Sequence, residues 1–83
     1  WRDKQGRELD FVLAWGRDEV DVIECKWSRD AFEVDALQAF RSYYPKGRNY
    51  LVTPLESPGY TKHIGALEVR VCSPMEFIGP PRP

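Results

Sequence analysis

The chain has 83 residues and a formal net charge of −1, from 12 Lys and Arg residues against 13 Asp and Glu residues. This length allows one small domain, and the hydrophobic content of 42%, with 3 Trp, 4 Tyr and 4 Phe, excludes a disordered chain. No apolar run has the length of a membrane span or a signal peptide. The near-neutral charge excludes the strong basic field of a self-sufficient nucleic-acid-binding protein. Two Cys residues without metal-ligand spacing fit a reducing cytoplasm.

The first 27 residues predict a three-stranded antiparallel meander. Residues 1–4 form its first strand, and Gly6 lies in the turn that follows. The second strand, residues 9–15, alternates with period two. Its apolar side carries Leu9, Phe11, Leu13 and Trp15. The third strand, residues 20–27, begins apolar on both faces, which is typical of a central, covered strand.

Two charged residues interrupt this third strand near its end. Glu24 and Lys26 continue the face that carries Val20 and Val22. An unpaired charge on such a face would cost several kcal/mol. Neighbouring strands must therefore supply partners for both side chains.

The hairpin between the second and third strands supplies these partners. A loop at residues 16–18 makes the numbers of opposed residues sum to 34, so Asp10 faces Glu24 and Glu8 faces Lys26. A register shifted by two residues would pair Asp10 with Lys26 and keep the same cluster. Either register predicts four charged side chains on one face.

This cluster is suited to a divalent cation. Asp10 and Glu24, about 5 Å apart across a strand pair, repel each other unless a proton or a cation lies between them. Mg²⁺ or Mn²⁺ prefers such oxygen ligands, and Lys26 would stabilise an anionic phosphate or a metal-bound hydroxide. The sequence therefore predicts a metal site at Asp10 and Glu24, with Lys26 and Glu8 completing a catalytic set.

After the third strand the pattern changes to that of a helix. Residues 30–44 predict one amphipathic helix over the sheet, which ends at a Pro-Lys-Gly sequence. Asp30 and Glu33 resemble a capping box at its start, and Ser28 is an alternative N-cap. Residues 49–53 predict a further strand. The βαβ arrangement places this strand parallel to the third strand.

The last third of the chain completes a single domain over residues 1–78. Residues 54–66, with two Pro and two Gly, predict a loop. Residues 67–71 alternate and predict an edge strand with one polar side, whereas residues 73–78 predict one more helical turn. Residues 79–83 form a tail. The elements together predict a mixed sheet of about five strands.

The charged cluster carries a resemblance to a known superfamily. Asp10, followed after 13 residues by Glu24-Cys25-Lys26, resembles the D…ExK signature of the PD-(D/E)XK nucleases, whose fold is the restriction-endonuclease-like fold. More narrowly, residues 1–12 together with residues 23–28 resemble the nuclease-like C-terminal domain of prokaryotic AAA-type P-loop ATPases. The resemblance runs over residues 1–53.

The resemblance implies an α/β fold with a restriction-endonuclease-like core, made of an antiparallel meander, a helix, a parallel strand and an edge strand, and lacking the N-terminal helix. It also implies a cytoplasmic, Mg²⁺- or Mn²⁺-dependent nuclease that acts on DNA, cut from a longer chain whose P-loop ATPase domain is its partner. Gln38 lies near a helix position where some members contact the site or DNA. Arg41 is a second candidate for contacting phosphate, although an ordinary solvated helix face explains both residues as well.

Two functions from different classes follow. In the first, Asp10 and Glu24 bind the metal ion, Lys26 stabilises the attacking water and the developing charge, and Glu8 assists. In the second, the fold is a catalytically degenerate DNA-docking, regulatory or interaction module of an ATPase, and the same charges form only a polar network. An ion-pair cluster without any chemical role is the third interpretation.

Cys25 and His63 could also carry chemistry, but an ordinary structural role explains each of them. Cys25 is predicted to be a small buried side chain that points away from the charged face. His63 is predicted to be a surface histidine, because no acid or cysteine stands at catalytic spacing from it.

Overall fold

The computed structural model describes residues 1–54 and 58–79, which form an α/β domain. Its elements in chain order are β1 (Phe11–Ala14), β2 (Val20–Cys25), a 3-10 turn (Arg29–Ala31), α1 (Val34–Tyr43), β3 (Asn49–Val52), β4 (Tyr60–Ile64), β5 (Leu67–Cys72) and α2 (Pro74–Ile78). The five strands make one mixed sheet in the order β1-β2-β3-β5-β4. No helix within the described ranges is both long and apolar enough to cross a bilayer.

The strands β1 and β2 form the predicted hairpin in the predicted register. Val12 lies opposite Val22 and Leu13 lies opposite Asp21, so the numbers of each pair sum to 34. On its other side β2 pairs with β3 in parallel. The predicted parallel pairing of the strands on either side of the helix is therefore confirmed.

The helix α1 covers one face of this sheet. Leu37 and Phe40, three residues apart, are buried at 0% and 1% exposure, because a helix brings such positions onto one side. They pack in a core with the inward residues of the strands, and the Trp1 ring packs edge-on against Phe40. The buried apolar cluster comprises Leu9, Val20, Val22, Ala36, Leu37, Phe40, Leu51, Val69 and Val71.

The opposite face of the hairpin is open. Phe11, Leu13 and Trp15 are 56%, 43% and 65% exposed, respectively. The alternating apolar residues of β1 therefore lie on its uncovered side. Val12, which lies between Phe11 and Leu13 in the sequence, packs against the core on the other side. The helix α2 covers part of this second face, where Phe77 contacts the Tyr50 ring edge-on.

The predicted first strand of the meander is wrong. Residues 1–9 make only an isolated bridge between Arg2 and Glu8, closed by backbone hydrogen bonds between Trp1 and Leu9. Gly6 has a positive φ of 83°, which bends the segment sharply. Two strands, not three, precede the helix.

The fifth strand comes instead from the region predicted as a loop. Within residues 54–66, of which 55–57 lie outside the described residues, β4 pairs antiparallel with β5. As a result β5 lies between β3 and β4, and its prediction as an edge strand is wrong. The prolines and glycines that flank β4 favoured a loop in the sequence pattern. The three central residues of β4 are exposed, which is typical of a strand at the edge of a sheet.

The helix boundaries differ in one respect from the prediction. The helix α1 begins at Val34, and its N-cap residue Glu33 makes no side-chain capping bond, so the capping box at Asp30 and Glu33 is wrong. The predicted turn at residues 73–78 is confirmed as α2. That helix does carry a capping box, between Ser73 and Glu76. Of the predicted tail, residues 80–83 lie outside the described residues.

Gly47 lies where the loop after α1 passes closest to β2. Its φ is 132°, and a Cβ atom at this position would stand 1.8 Å from the carbonyl oxygen of Val20. Backbone hydrogen bonds join the two segments at this point, from Val20 N–H to the Lys46 carbonyl and from Val22 N–H to the Arg48 carbonyl. Any side chain would separate these strands.

Gly47→Ala is therefore expected to lower the free energy of unfolding by at least about 3 kcal/mol, from backbone strain together with steric overlap. Urea unfolding followed by far-UV circular dichroism measures this loss. Gly16→Ala is the matched control, because a Cβ atom added at Gly16 would have no other atom within 4 Å; its effect should stay within about 0.5 kcal/mol. Equal losses in both variants would contradict the close approach at Gly47.

Candidate metal centre

Three charged side chains meet where β1 begins and β2 ends. Glu24 follows Val20 and Val22 on the core-facing side of β2, and all three are buried. Asp10 directly precedes β1, on the neighbouring strand. Lys26 is the first residue after β2, with its backbone N–H bonded to the Val52 carbonyl. The strand pairings thus bring together residues separated by 14 or more positions.

At this end of the hairpin, side-chain carboxylates take the place of backbone carbonyls as acceptors of the hydrogen bonds between the two chain segments. The Asp10 N–H donates to Glu24 Oε1 at 2.7 Å, and the Cys25 N–H donates to Asp10 Oδ2 at 3.0 Å. Each carboxylate therefore satisfies a backbone N–H of the opposite strand, which would otherwise be unpaired at the end of the hairpin. This exchange holds both carboxylates in place without any ligand.

Lys26 lies between the two carboxylates. Its Nζ is 3.5 Å from Asp10 Oδ2 and 3.5 Å from Glu24 Oε2. Exposure is graded across the site: the side chain of Glu24 is 3% exposed, that of Lys26 25% and that of Asp10 34%. Burial therefore decreases from Glu24, which is covered by the domain, through Lys26 to Asp10, which is the closest of the three to solvent.

The protonation equilibria reflect this burial. Burial raises the pKa of Glu24 above its ordinary value, and the charge of Asp10 adds to the rise, against the opposing effects of the Asp10 N–H and of Lys26. Burial by itself would lower the pKa of Lys26, but the charges of Asp10 and Glu24 raise it overall. Lys26 is therefore a cation at neutral pH that balances two carboxylates.

The donor set suits a hard divalent cation. The side-chain hydrogen bond and the ion pair that Asp10 makes with described residues both use Oδ2. Glu24 Oε2 contacts the ammonium of Lys26. Residues 1–54 and 58–79 contain no group of three or more His, Cys, Asp or Glu side chains that could hold a metal ion. Two carboxylates with water in the remaining positions remain a suitable set for Mg²⁺, which keeps several waters in most protein sites.

Glu8 lies outside this site. Its carboxylate pairs with Arg2, with Nε 3.1 Å from Oε1, and both side chains are exposed. The predicted Glu8–Lys26 pair is wrong because residues 1–9 bend back on themselves, so the backbone pairing of β1 with β2 ends at Phe11 and does not reach Glu8.

Cys25 is exposed, and its prediction as a buried residue is wrong. It lies on the open face of the sheet, which α1 does not cover. Partial burial, together with the charges of Asp10 and Glu24, raises the pKa of the Cys25 thiol. The thiol is therefore protonated, and a poor nucleophile, at neutral pH.

The two helix residues predicted to contact nucleic acid occupy different environments. Gln38 is exposed on α1, and its contact with nucleic acid stays a prediction. Arg41 is only 6% exposed and is not part of a solvated helix face. Its guanidinium donates to Asn49 Oδ1 and to the carbonyls of Tyr44, Lys46 and Arg48. These bonds join α1 to the loop before β3, and none is directed at the carboxylates.

The structure adds two residues that the sequence pattern did not single out. Thr53 is fully buried, and its hydroxyl donates to the Trp27 carbonyl at 2.8 Å, which holds the backbone just after Lys26. Trp27 is 81% exposed beside a mostly apolar groove that Lys26 also lines. A Thr that ends an apolar strand and a Trp directly after the ExK triplet are the signals that could have pointed to them.

Comparison of the chain with protein-family models, with curated proteins and with solved structures finds no match in any of the three. The function of this chain is therefore inferred from its own residues, among which the contacts of Asp10, Glu24 and Lys26 are the most specific.

The raised pKa of Glu24 predicts a particular pH dependence of stability. The folded chain holds the Glu24 proton more tightly than the unfolded chain, so this group lowers the free energy of unfolding as the pH rises from the unfolded value of about 4.5 through the higher folded value. Glu24→Gln, whose Oε1 can still accept the Asp10 N–H, removes this loss. Its free energy of unfolding relative to wild type should therefore increase from pH 4 to pH 7.

Urea unfolding in the presence of a chelator, at a series of pH values, measures this difference. Glu33→Gln is the control, because Glu33 is exposed and makes no capping bond. A relative stability of Glu24→Gln that stays constant or falls over this pH range would show that burial does not dominate at Glu24.

Proposed function

We propose that this domain is a metal-dependent phosphodiesterase of the PD-(D/E)XK type that acts on DNA, with Asp10, Glu24 and Lys26 as its active site. One observation carries the proposal: an ammonium group lies at the same 3.5 Å distance from two carboxylates that β1 and β2 bring together. Metal-dependent phosphodiester hydrolysis requires carboxylates that bind a metal ion. It also requires a positive group beside them that can contact the phosphate.

Asp10 and Glu24 are the residues that would hold a Mg²⁺ or Mn²⁺ ion. When bound, such an ion lowers the pKa of a coordinated water and withdraws charge from a phosphoryl oxygen. Glu24, buried and bonded to the Asp10 N–H, has little freedom to move, so it orients the site from its base. Asp10 is closer to solvent and offers Oδ1 to an incoming cation.

Lys26 has the role of stabilising negative charge on the phosphate. In the metal-free site its charge is balanced by Asp10 and Glu24, which raise its pKa. Once the carboxylates are neutralised by another cation, the ammonium can turn to a phosphate oxygen. The Thr53 hydroxyl, bonded to the Trp27 carbonyl, keeps the backbone that carries Lys26 in position.

A catalytically degenerate docking or regulatory module of an AAA-type ATPase is the second candidate. It is favoured by the fact that no third carboxylate joins Asp10 and Glu24 in the described part of the chain, while Lys26 already neutralises part of their charge. In this function the cluster would only stabilise the end of the hairpin. The two candidates differ in what they predict for cleavage.

Lys26→Gln is expected to lower Mg²⁺- or Mn²⁺-dependent cleavage of plasmid DNA by at least about 100-fold, because it removes charge that the transition state needs. Gel electrophoresis with and without a chelator measures cleavage, and a parallel assay with single-stranded RNA tests the preference for DNA. Lys4→Gln is the control, since Lys4 is exposed and the lysine that pairs with Asp10 and Glu24 is Lys26. Cleavage by Lys26→Gln at the wild-type rate would refute the role of Lys26, and an inactive wild type would favour the docking module.

Mn²⁺ is expected to stabilise the domain against thermal unfolding. A site with a Kd near 1 mM would contribute about 1.4 kcal/mol at about 10 mM Mn²⁺, which is roughly 6–11 °C in Tm for a domain of this size. Asp10→Asn should lose most of this shift, whereas Asp18→Asn in the exposed β1–β2 loop should keep it. If Asp10→Asn retains the full shift, Asp10 is not a metal ligand.

A further inference from the structure

The strand β1 forms an edge of the sheet that no other described segment pairs with. In the strand order β1-β2-β3-β5-β4, the two edges are β1 and β4. Residues 1–9 lie before β1 in the chain, and no backbone hydrogen bond joins them to Phe11–Ala14. The outer side of β1 therefore presents backbone donors and acceptors to solvent, and such an edge is a template for pairing with another strand.

The groups that point outward belong to Val12 and Ala14. Trp15 N–H donates to the Glu19 carbonyl, and hydrogen-bonded pairs alternate with non-bonded pairs along an antiparallel ladder. Every second residue, counted back from Trp15, therefore bonds to β2, whereas Val12 and Ala14 direct their N–H and carbonyl groups away from it. The N–H of Val22, which lies opposite Val12, donates away from β1 to the loop before β3, as this alternation requires.

The two edges of the sheet differ in their protection against such pairing. The β4 edge carries the exposed Lys62 at its centre, and a lysine on an edge strand opposes association. The strand β1 has no charged residue. Phe11, Leu13 and Trp15 are large, exposed apolar side chains on the open face beside this edge. The β1 edge therefore lacks the charges that keep edge strands apart.

This edge is complementary to a second copy of itself. An antiparallel pair centred on Leu13 sets Phe11 opposite Trp15 of the second copy, so that aromatic side chains meet on the open face. Val12 and Ala14 then lie opposite each other. Because the free backbone groups of β1 belong to these two residues, each of them both donates to and accepts from its opposite.

The ends of the edge favour this register and this partner. A pair centred on Val12 would need the Asp10 N–H, which is already donated to Glu24 Oε1. In the register centred on Leu13, Asp10 lies opposite Gly16 of the second copy, so no like charges face each other. The pair has two-fold symmetry, so it closes after two copies.

We propose that two copies of this domain associate through β1, in an antiparallel pair centred on Leu13, so that the sheet of one copy continues into the other. The interface is small, since it adds few side chains to the paired backbone, and we expect a dissociation constant of about 10–100 μM. The pairing uses neither the Glu24 nor the Lys26 side chain and needs no metal ion. It is therefore independent of the proposed cleavage of DNA.

Sedimentation equilibrium in the presence of a chelator tests the pairing, at chain concentrations from about 10 μM to about 1 mM. The mass of the wild type should rise from 9.7 kDa toward twice that value. Leu13→Lys should weaken the dimer by at least about 10-fold, because it sets two ammonium groups directly opposite each other. Met75→Lys is the matched control, since Met75 is an exposed apolar residue of α2 and not of the β1 edge. It should change the dissociation constant by less than about 2-fold.

Leu13→Glu tests the register. Alone it should dimerise as weakly as Leu13→Lys, because two carboxylates then face each other. An equimolar mixture of the two variants should form a heterodimer at least about 10-fold more tightly than either variant alone, since opposite charges meet at the two-fold axis. A misfolded variant would not show this recovery.

The proposal is overturned if the wild type stays monomeric up to about 1 mM. It is also overturned if Leu13→Lys and Met75→Lys weaken the dimer equally, or if mixing the two Leu13 variants restores no dimer. The outcome is separate from that of the cleavage assay: a monomeric wild type that cleaves DNA would refute the dimer alone, whereas a dimer that cleaves nothing would confirm the pairing and count against the phosphodiesterase.

Discussion

The burial of the Glu24 carboxylate is the constraint on which the site and the hairpin both depend. Glu24 stands on the core-facing side of β2, where the preceding inward residues are valines, and its side chain is 3% exposed. Such a group is tolerated only with hydrogen bonds and a nearby cation. The Asp10 N–H and the Lys26 ammonium supply them, so one buried acid accounts for where β1 begins and for the position of both neighbours.

Opposite charges are separated along this sheet. Carboxylates gather at the carboxyl end of β2, whereas Arg41 and Arg48 line a cavity near the amino end of β3. The net charge of −1 averages over both ends and hides them. Net charge therefore excludes a uniform basic field but does not exclude local recognition of phosphate.

The loop between α1 and β3 shows how packing can assign an unexpected role to a charged residue. Arg41 holds this loop through three backbone carbonyls, and Gly47 lets the same loop approach β2 closely. The helical pattern alone indicated a solvated arginine. Burial became possible because the loop turns its carbonyls toward the guanidinium, and this arrangement depends on contacts between segments that the pattern of one helix does not contain.

The sequence by itself determined the register of the hairpin and hence the Asp10–Glu24–Lys26 cluster, because the loop length and the two-residue period of strands are local properties. It also determined the helix and the parallel strand after it. Only the tertiary structure decided that β5 is internal, that Glu8 pairs with Arg2, that Cys25 is exposed and that Arg41 is buried. These outcomes depend on which face of the sheet the helix covers and on which distant segments come into contact. The sequence pattern could not predict them, because the alternation along one strand is the same whichever face is covered.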